Sequence, residues 1–204
     1  NGLVKSQINL GFSEDAAKTL ENVLAEQPGN KEIYYLLSDC YLDMNNPSEA
    51  ERVISQLLQH EPADYLKLLN LTEVYLKNND LESAVRILLV TSEQLLVNGK
   101  AEELTKWLNE ILARNPEQID ALRMSVRVAS WQRDPQDLKD ALERLAEVAR
   151  ANNSVDDERY ALSQLVIVAP QETQNAQRLQ EIITEYGYVE VEPIDATITG
   201  QGLF

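Results

Sequence analysis

His60 is the only histidine and Cys40 the only cysteine in the chain. One of each cannot assemble a zinc ligand set of the usual kind. The sequence holds no phosphate-cradling glycine loop, no EF-hand pattern and no serine nucleophile elbow. His60 stands two residues before Pro62 at a helix end, where it reads as a hydrogen-bond partner of the last turn or a solvent-facing side chain. Cys40, beside Tyr41 on an apolar helix face, reads as a packed core thiol. Carboxylates are plentiful in Glu102-Glu103 and Asp156-Asp157-Glu158, but both runs fall at helix starts, where negative charge complements the helix dipole. Capping is the reading taken for them. The chain is accordingly expected to be a non-enzyme, with no catalytic residue, cofactor or metal.

What the remaining side chains can do is bind. Arg123 and Arg127 stand one helical turn apart with Trp131 another turn on. Such a face suits an acidic segment through charge-assisted hydrogen bonds and stacking. The alternative, in which the two arginines pair with carboxylates of the same chain, stays open at this point.

The balance of charge narrows the partners. Eighteen Lys and Arg against 34 Asp and Glu give a formal net charge of −16. Phosphate backbones and anionic membranes need clustered cations that this chain lacks, so nucleic acid is not expected and a basic or charge-mixed protein or peptide is the electrostatic expectation. No apolar run approaches the roughly 20 residues needed to span a bilayer. The best are Ile87-Leu88-Leu89-Val90 and Leu165-Val166-Ile167-Val168. A cytoplasmic location is favoured on this reading, and a homodimer remains open. A lone cysteine rules out an internal disulfide. With only 7 Gly and 7 Pro, and abundant Leu, Ala, Glu and Gln, the chain reads as almost wholly helical.

The elements that must position these residues are revealed by a repeat. Ala16, Ala50 and Ala84 are spaced by 34, as are Leu20, Ile54 and Leu88; Leu37 recurs as Leu71, Tyr41 as Tyr75, and Pro28 as Pro62. Tyr34, Leu37 and Tyr41 fall at i, i+3 and i+7, which places them on one side of a helix. Ala50, Ile54, Leu57 and Leu58 do the same for a second helix, and Asn45-Asn46-Pro47-Ser48 separates the two. Each unit is therefore a helical hairpin, and hairpins that cannot bury their own apolar face must stack. This motif resembles the tetratricopeptide repeat (TPR) family. The glycine usual after the motif leucine is here Ser38, with Thr72 at the matching place one repeat on.

In chain order, Leu3 to Leu10 supplies the end of a first helix, which predicts that the chain begins inside a longer protein. Helices are then expected over Ser13 to Glu26, within Lys31 to Glu61 as a hairpin, and over Ala63 to Asn78 and Leu81 to Val97. The strict period fails after residue 80. Leu104, Leu108, Ile111 and Pro116 match Ala50, Ile54, Leu57 and Pro62 at an offset of 54, so Ala101 to Arg114 reads as a second-helix element. Ile119 to Gln132 and Leu138 to Arg150 form a further hairpin broken at Arg133-Asp134-Pro135. Asp156 to Val168 and Gln171 to Tyr186 form the last, with Gly187 as its stop. The expectation is an all-α fold, an α-solenoid of stacked antiparallel helical hairpins with about eleven helices. Residues 1–97 hold regular hairpins, the first incomplete, and 98–187 degenerate ones. Residues 188–204 form an extended tail or linker.

The resemblance implies that first helices line a groove in which peptides lie. Carried across, the second repeat offers Glu32, Tyr35, Asp39, Leu42 and Asp43, and the third Leu66, Leu69, Glu73, Leu76 and Lys77. Some members of the family hold a terminal carboxylate with Lys and Asn at the second and third of these positions. Here Tyr35 and Asp39, then Leu69 and Glu73, stand there, which argues against that use. The expected role is a non-enzymatic protein-interaction scaffold with contacts at Tyr35, Asp39, Asp43, Glu73, Arg123, Arg127 and Trp131. A structural spacer or self-association module, or the recognition arm of a larger enzyme, is the alternative.

Overall fold

A computed structural model describes residues 13–59 and 65–187. Among these the chain forms ten α-helices and no strand. They are α1 (Ser13–Glu26), α2 (Lys31–Asp43), α3 (Pro47–Leu58), α4 (Tyr65–Lys77), α5 (Leu81–Val97), α6 (Ala101–Arg114), α7 (Ile119–Gln132), α8 (Pro135–Ala151), α9 (Val155–Val168) and α10 (Thr173–Tyr186). The expected helix over Leu3 to Leu10, the readings of His60 and Pro62, and the tail from 188 on lie outside the described residues.

Two compact units divide the chain between Leu95 and Leu96, inside the last turn of α5. In the first unit α1 packs on α2, α2 on α3 and α3 on α4; in the second α6 packs on α7, α7 on α8, α8 on α9 and α9 on α10. Stacking of each helix on the next is the arrangement that the repeat demands, because neighbouring hairpins complete one another's cores. The 34-residue columns are its interior. Ala16, Ala50 and Ala84 are wholly buried, and so are Ile54 and Leu88, with Leu20, Leu37 and Leu71 nearly so. An alanine in that column lets two helices approach closely, whereas a larger side chain would force them apart. Ser38 and Thr72, the glycine-position residues, are buried as well. In the second unit Leu104, Leu108 and Ile111 of α6, Leu122 of α7, and Leu142 and Leu145 of α8 form the corresponding interior.

The helix starts follow from their caps. Asn46 Oδ1 accepts from the Glu49 amide at 3.4 Å, and Asp80 Oδ1 from the Ser83 amide at 3.0 Å, so Asn-Pro and Asn-Asp turns open α3 and α5. Asn45 and Asn79, one repeat apart, hold left-handed φ of 55° and 59°. Asparagine tolerates that backbone better than most residues, which is why these turns need no glycine. The hairpin break at Arg133-Asp134-Pro135 is shorter than the sequence suggests, since α8 begins at Pro135 and not at Leu138. Asp134 Oδ1 accepts from the amides of Gln136 at 2.9 Å and Asp137 at 3.0 Å, and proline at the first helical position lacks only a donor that would be orphaned anyway. Gly187, at φ 69°, ends α10 as expected.

Candidate protein-binding face

Polar side chains tie the hairpins together differently in the two units. In the first unit a glutamate, a tyrosine and an arginine from three successive helices meet, and they do so twice. The Tyr41 hydroxyl of α2 donates to Glu21 of α1, and Arg52 of α3 lies 3.6 Å from the same carboxylate. One repeat on, the Tyr75 hydroxyl of α4 donates to Glu51 of α3 at 2.7 Å, while Arg86 of α5 reaches both Glu51 oxygens at 3.1 and 2.8 Å. Burial, and then the neighbouring carboxylate, pushes the Tyr41 phenol up to about 12 and Tyr75 higher still, so both remain donors at any physiological pH. The two motif tyrosines thus bury their rings in the core and bridge consecutive helices through their hydroxyls. Beside the second triad a cleft of about 330 Å³ opens, lined by Leu58, Leu68, Ile87 and Val90, with Glu51 and Arg86 at its polar side.

In the second unit the links are arginine–carboxylate pairs. Arg123 of α7 donates from Nε and Nη2 to the two oxygens of Asp157 on α9, each at 2.7 Å, and from Nη1 to Asp120 at 2.7 Å. Ser154 Oγ adds a donation to Asp157 at 2.5 Å. Burial alone would raise Asp157, but the hydrogen bonds from Arg123 and Ser154 outweigh it and hold the carboxyl below its ordinary range. Next along the chain, Arg178 of α10 reaches Glu158 of α9 at 2.8 and 3.2 Å. Asp157 and Glu158 are buried, with their residues 7% and 4% exposed. The capping assigned to these acids is therefore corrected for both: they do stand in the first turn of α9, yet their side chains are turned to other helices. For Glu158 the reason is that α10 buries only Ile182 fully, roughly 1.5–3 kcal/mol of apolar contact. Fixing that helix draws on charged hydrogen bonds of similar size.

The contact residues expected from the sequence separate along the same line. Arg123 has the chain's own carboxylates on three of its nitrogens. Arg127 is half-buried one turn on, and Trp131 is 47% exposed near the end of α7. In the first unit Asp39, Asp43 and Glu73 are exposed and Tyr35 is half-buried. Of the other groove positions, Leu66 is exposed, whereas Leu69 and Leu76 belong to the core.

Sequence reasoning missed Lys67. From α4 its ammonium sits over the Tyr35 ring of α2, 4.6 Å from the centroid, with Lys31 at 5.7 Å. Asp39, one turn beyond Tyr35, is raised by crowding and by the charge of Asp43, against an opposing pull from Lys67. The arrangement is an aromatic ring flanked by carboxylates with a cation on it, which is the chemistry that recognises an ammonium or guanidinium group. Cys40 on the buried side of the same helix is pushed up to about 11, first by burial and then by Asp43 and Asp39, which leaves it an unreactive thiol.

Comparison with known proteins agrees with this build. Residues 13–69, which hold α1, α2, α3 and the start of α4, match the family model described as Tetratricopeptide repeat. The match covers that part of the chain, where the 34-residue columns are most regular. The tetratricopeptide repeat fold generally mediates protein–protein interaction. Similar solved structures include a tetratricopeptide repeat protein from Parabacteroides merdae, 14% identical over 91% of this chain and 72% of that one, with a TM-score of 0.36. A thermophilic TPR protein of Thermus thermophilus is 17% identical over 89% of this chain and 96% of its own, with a TM-score of 0.33. No curated protein matches. Among the described residues no group of three or more His, Cys, Asp or Glu converges as a metal site, and no helix is long and apolar enough to cross a membrane.

Proposed function

We propose that this TPR chain is a non-enzymatic interaction module whose α2–α4 face holds a basic segment of a protein partner. The supporting observation is the cation already seated there: Lys67 lies over Tyr35 and within electrostatic reach of Asp39, so the face has the geometry for a positive group. Neither Asp39 nor Asp43 makes an ion pair with a described residue, unlike Glu21 and Glu51, whose carboxylates hold the hairpins together. A peptide lysine or arginine would exchange water for the ring face and carboxylates at little conformational expense to the protein, because α2 and α4 are rigid elements. The net charge of −16 draws such a segment in and opposes acidic ones.

The test is affinity capture from a lysate of the source organism with the parent chain and with Asp39→Lys, Asp43→Lys. Partners held by the first and released by the second are expected, with each substitution changing stability by no more than about 0.5 kcal/mol. Equal retention, or capture of nothing but a second copy of the chain, would replace the reading with a spacer or self-association role.

A further inference from the structure

We infer that Lys67 is a resident competitor for the cation position on the α2–α4 face, and that a partner's lysine or arginine binds by displacing it. The inference rests on the functional reading above. It starts from where Lys67 comes from and where it ends. The residue belongs to α4, half-buried along its stem, yet its ammonium lies over a ring of α2 and near enough to Asp39 to oppose that group's shift. A lysine stem is flexible and its ammonium compact and strongly hydrated, so it can leave the ring without disturbing either helix. The pair is held by one ring and by longer-range attraction, and no ion pair locks it among the described residues. Lys139 shows the contrast: it reaches Glu172 at 2.5 Å and Glu143 at 3.5 Å, joining α8 to the residue before α10.

A ligand cation that replaces Lys67 gains the ring and Asp39, but it must also displace a charge of its own sign. Affinity for a basic segment is therefore set below what Tyr35, Asp39 and Asp43 would give alone. A segment with two or more spaced cations is favoured over a single one, because the second charge can meet Asp43 or Glu73, exposed on neighbouring turns of the two helices, while the first takes the ring. A second copy of this chain is a poor occupant, since each copy carries the same formal charge of −16.

The probe is a fluorescently labelled hexalysine peptide titrated with the full chain at about 0.1 M salt, where the Debye length is near 10 Å. Lys67→Met keeps the stem and removes the charge, and it should tighten binding about three- to tenfold. Lys106→Met, the same change of net charge on the exposed face of α6, should leave it within about twofold, because the gain belongs to the ring position and not to the net charge. Lys67→Arg should bind as the parent does. Lys67→Gln repeats the test with a polar side chain, so a gain shared with Lys67→Met belongs to the lost charge. No gain beyond Lys106→Met, or a loss, overturns the inference. Asp39→Asn, Asp43→Asn separates the two readings. If it weakens hexalysine binding while Lys67→Met gives no gain, only the competitor fails; if it has no effect, the basic-segment face fails with it.

Discussion

The two units place their acids on opposite sides of one choice. In the second unit Asp157 and Glu158 are buried and bonded to Arg123 and Arg178. In the first, Asp39 and Asp43 stay on the surface with only a loosely held lysine near them. Burying an ionised carboxylate is tolerable only where an arginine and further donors meet it, and such a pair then fixes geometry more than it adds net stability. Exposed carboxylates fix nothing and remain available. The second unit thus turns Asp157 and Glu158 into internal ties, whereas the first, besides the ties at Glu21 and Glu51, leaves Asp39 and Asp43 facing outward.

Removing a tie should give the largest effect. Asp157→Ala or Glu158→Ala leaves a guanidinium facing a buried, emptied position and should cost about 1–3 kcal/mol in urea unfolding. Both arginines are partly exposed, at 51% and 28% of their side chains, which keeps the figure below that for a fully buried pair. A cost under about 0.5 kcal/mol would mean that these pairs are as weak as surface ones and that the contrast between the units is only apparent.

Tyr75→Phe comes next. It deletes one hydroxyl while Arg86 continues to satisfy Glu51, so about 0.5–1.5 kcal/mol should be lost. A loss matching Glu158→Ala would show that the tyrosine triads are as binding as the arginine pairs.

The smallest effect is in pH. Asp157 is depressed in the folded chain, so its contribution is present above the unfolded value near 3.9 and is lost as pH falls through the folded one. Asp39 is raised, so it costs stability above its folded value, and that cost disappears as pH falls towards the unfolded value. Urea midpoints followed from pH 7 downwards should lose part of the acid limb in Asp157→Asn. In Asp39→Asn they should lose a small penalty at higher pH. Identical profiles in the two variants would contradict the comparison.

Much of the fold was legible. The columns through Ala50, Ile54 and Tyr41 identified the hairpins, and α1, α5, α6 and α7 begin and end where apolar spacing and turn residues place them. The start of α8 was not, because Asp134 acts as a cap, and a cap read as a break shortens the helix that follows it. The site was less legible for a different reason. Spacing along one helix shows which residues share its face, but Lys67 works through a long side chain that crosses back to the preceding repeat, and Asp157 through a partner 34 residues away. Such relations belong to the stack and become readable only when one repeat is laid against the next.

That serial stacking has a kinetic consequence. Within each unit a helix touches mainly its predecessor and its successor, so the contacts that define the unit close short loops and little chain entropy must be lost before they form. Folding can begin at whichever hairpin pairs first and spread outward from it. In the second unit α10 buries one residue fully and is held by Arg178, so it should be the helix at which that unit first opens when the chain is heated, pulled or cleaved.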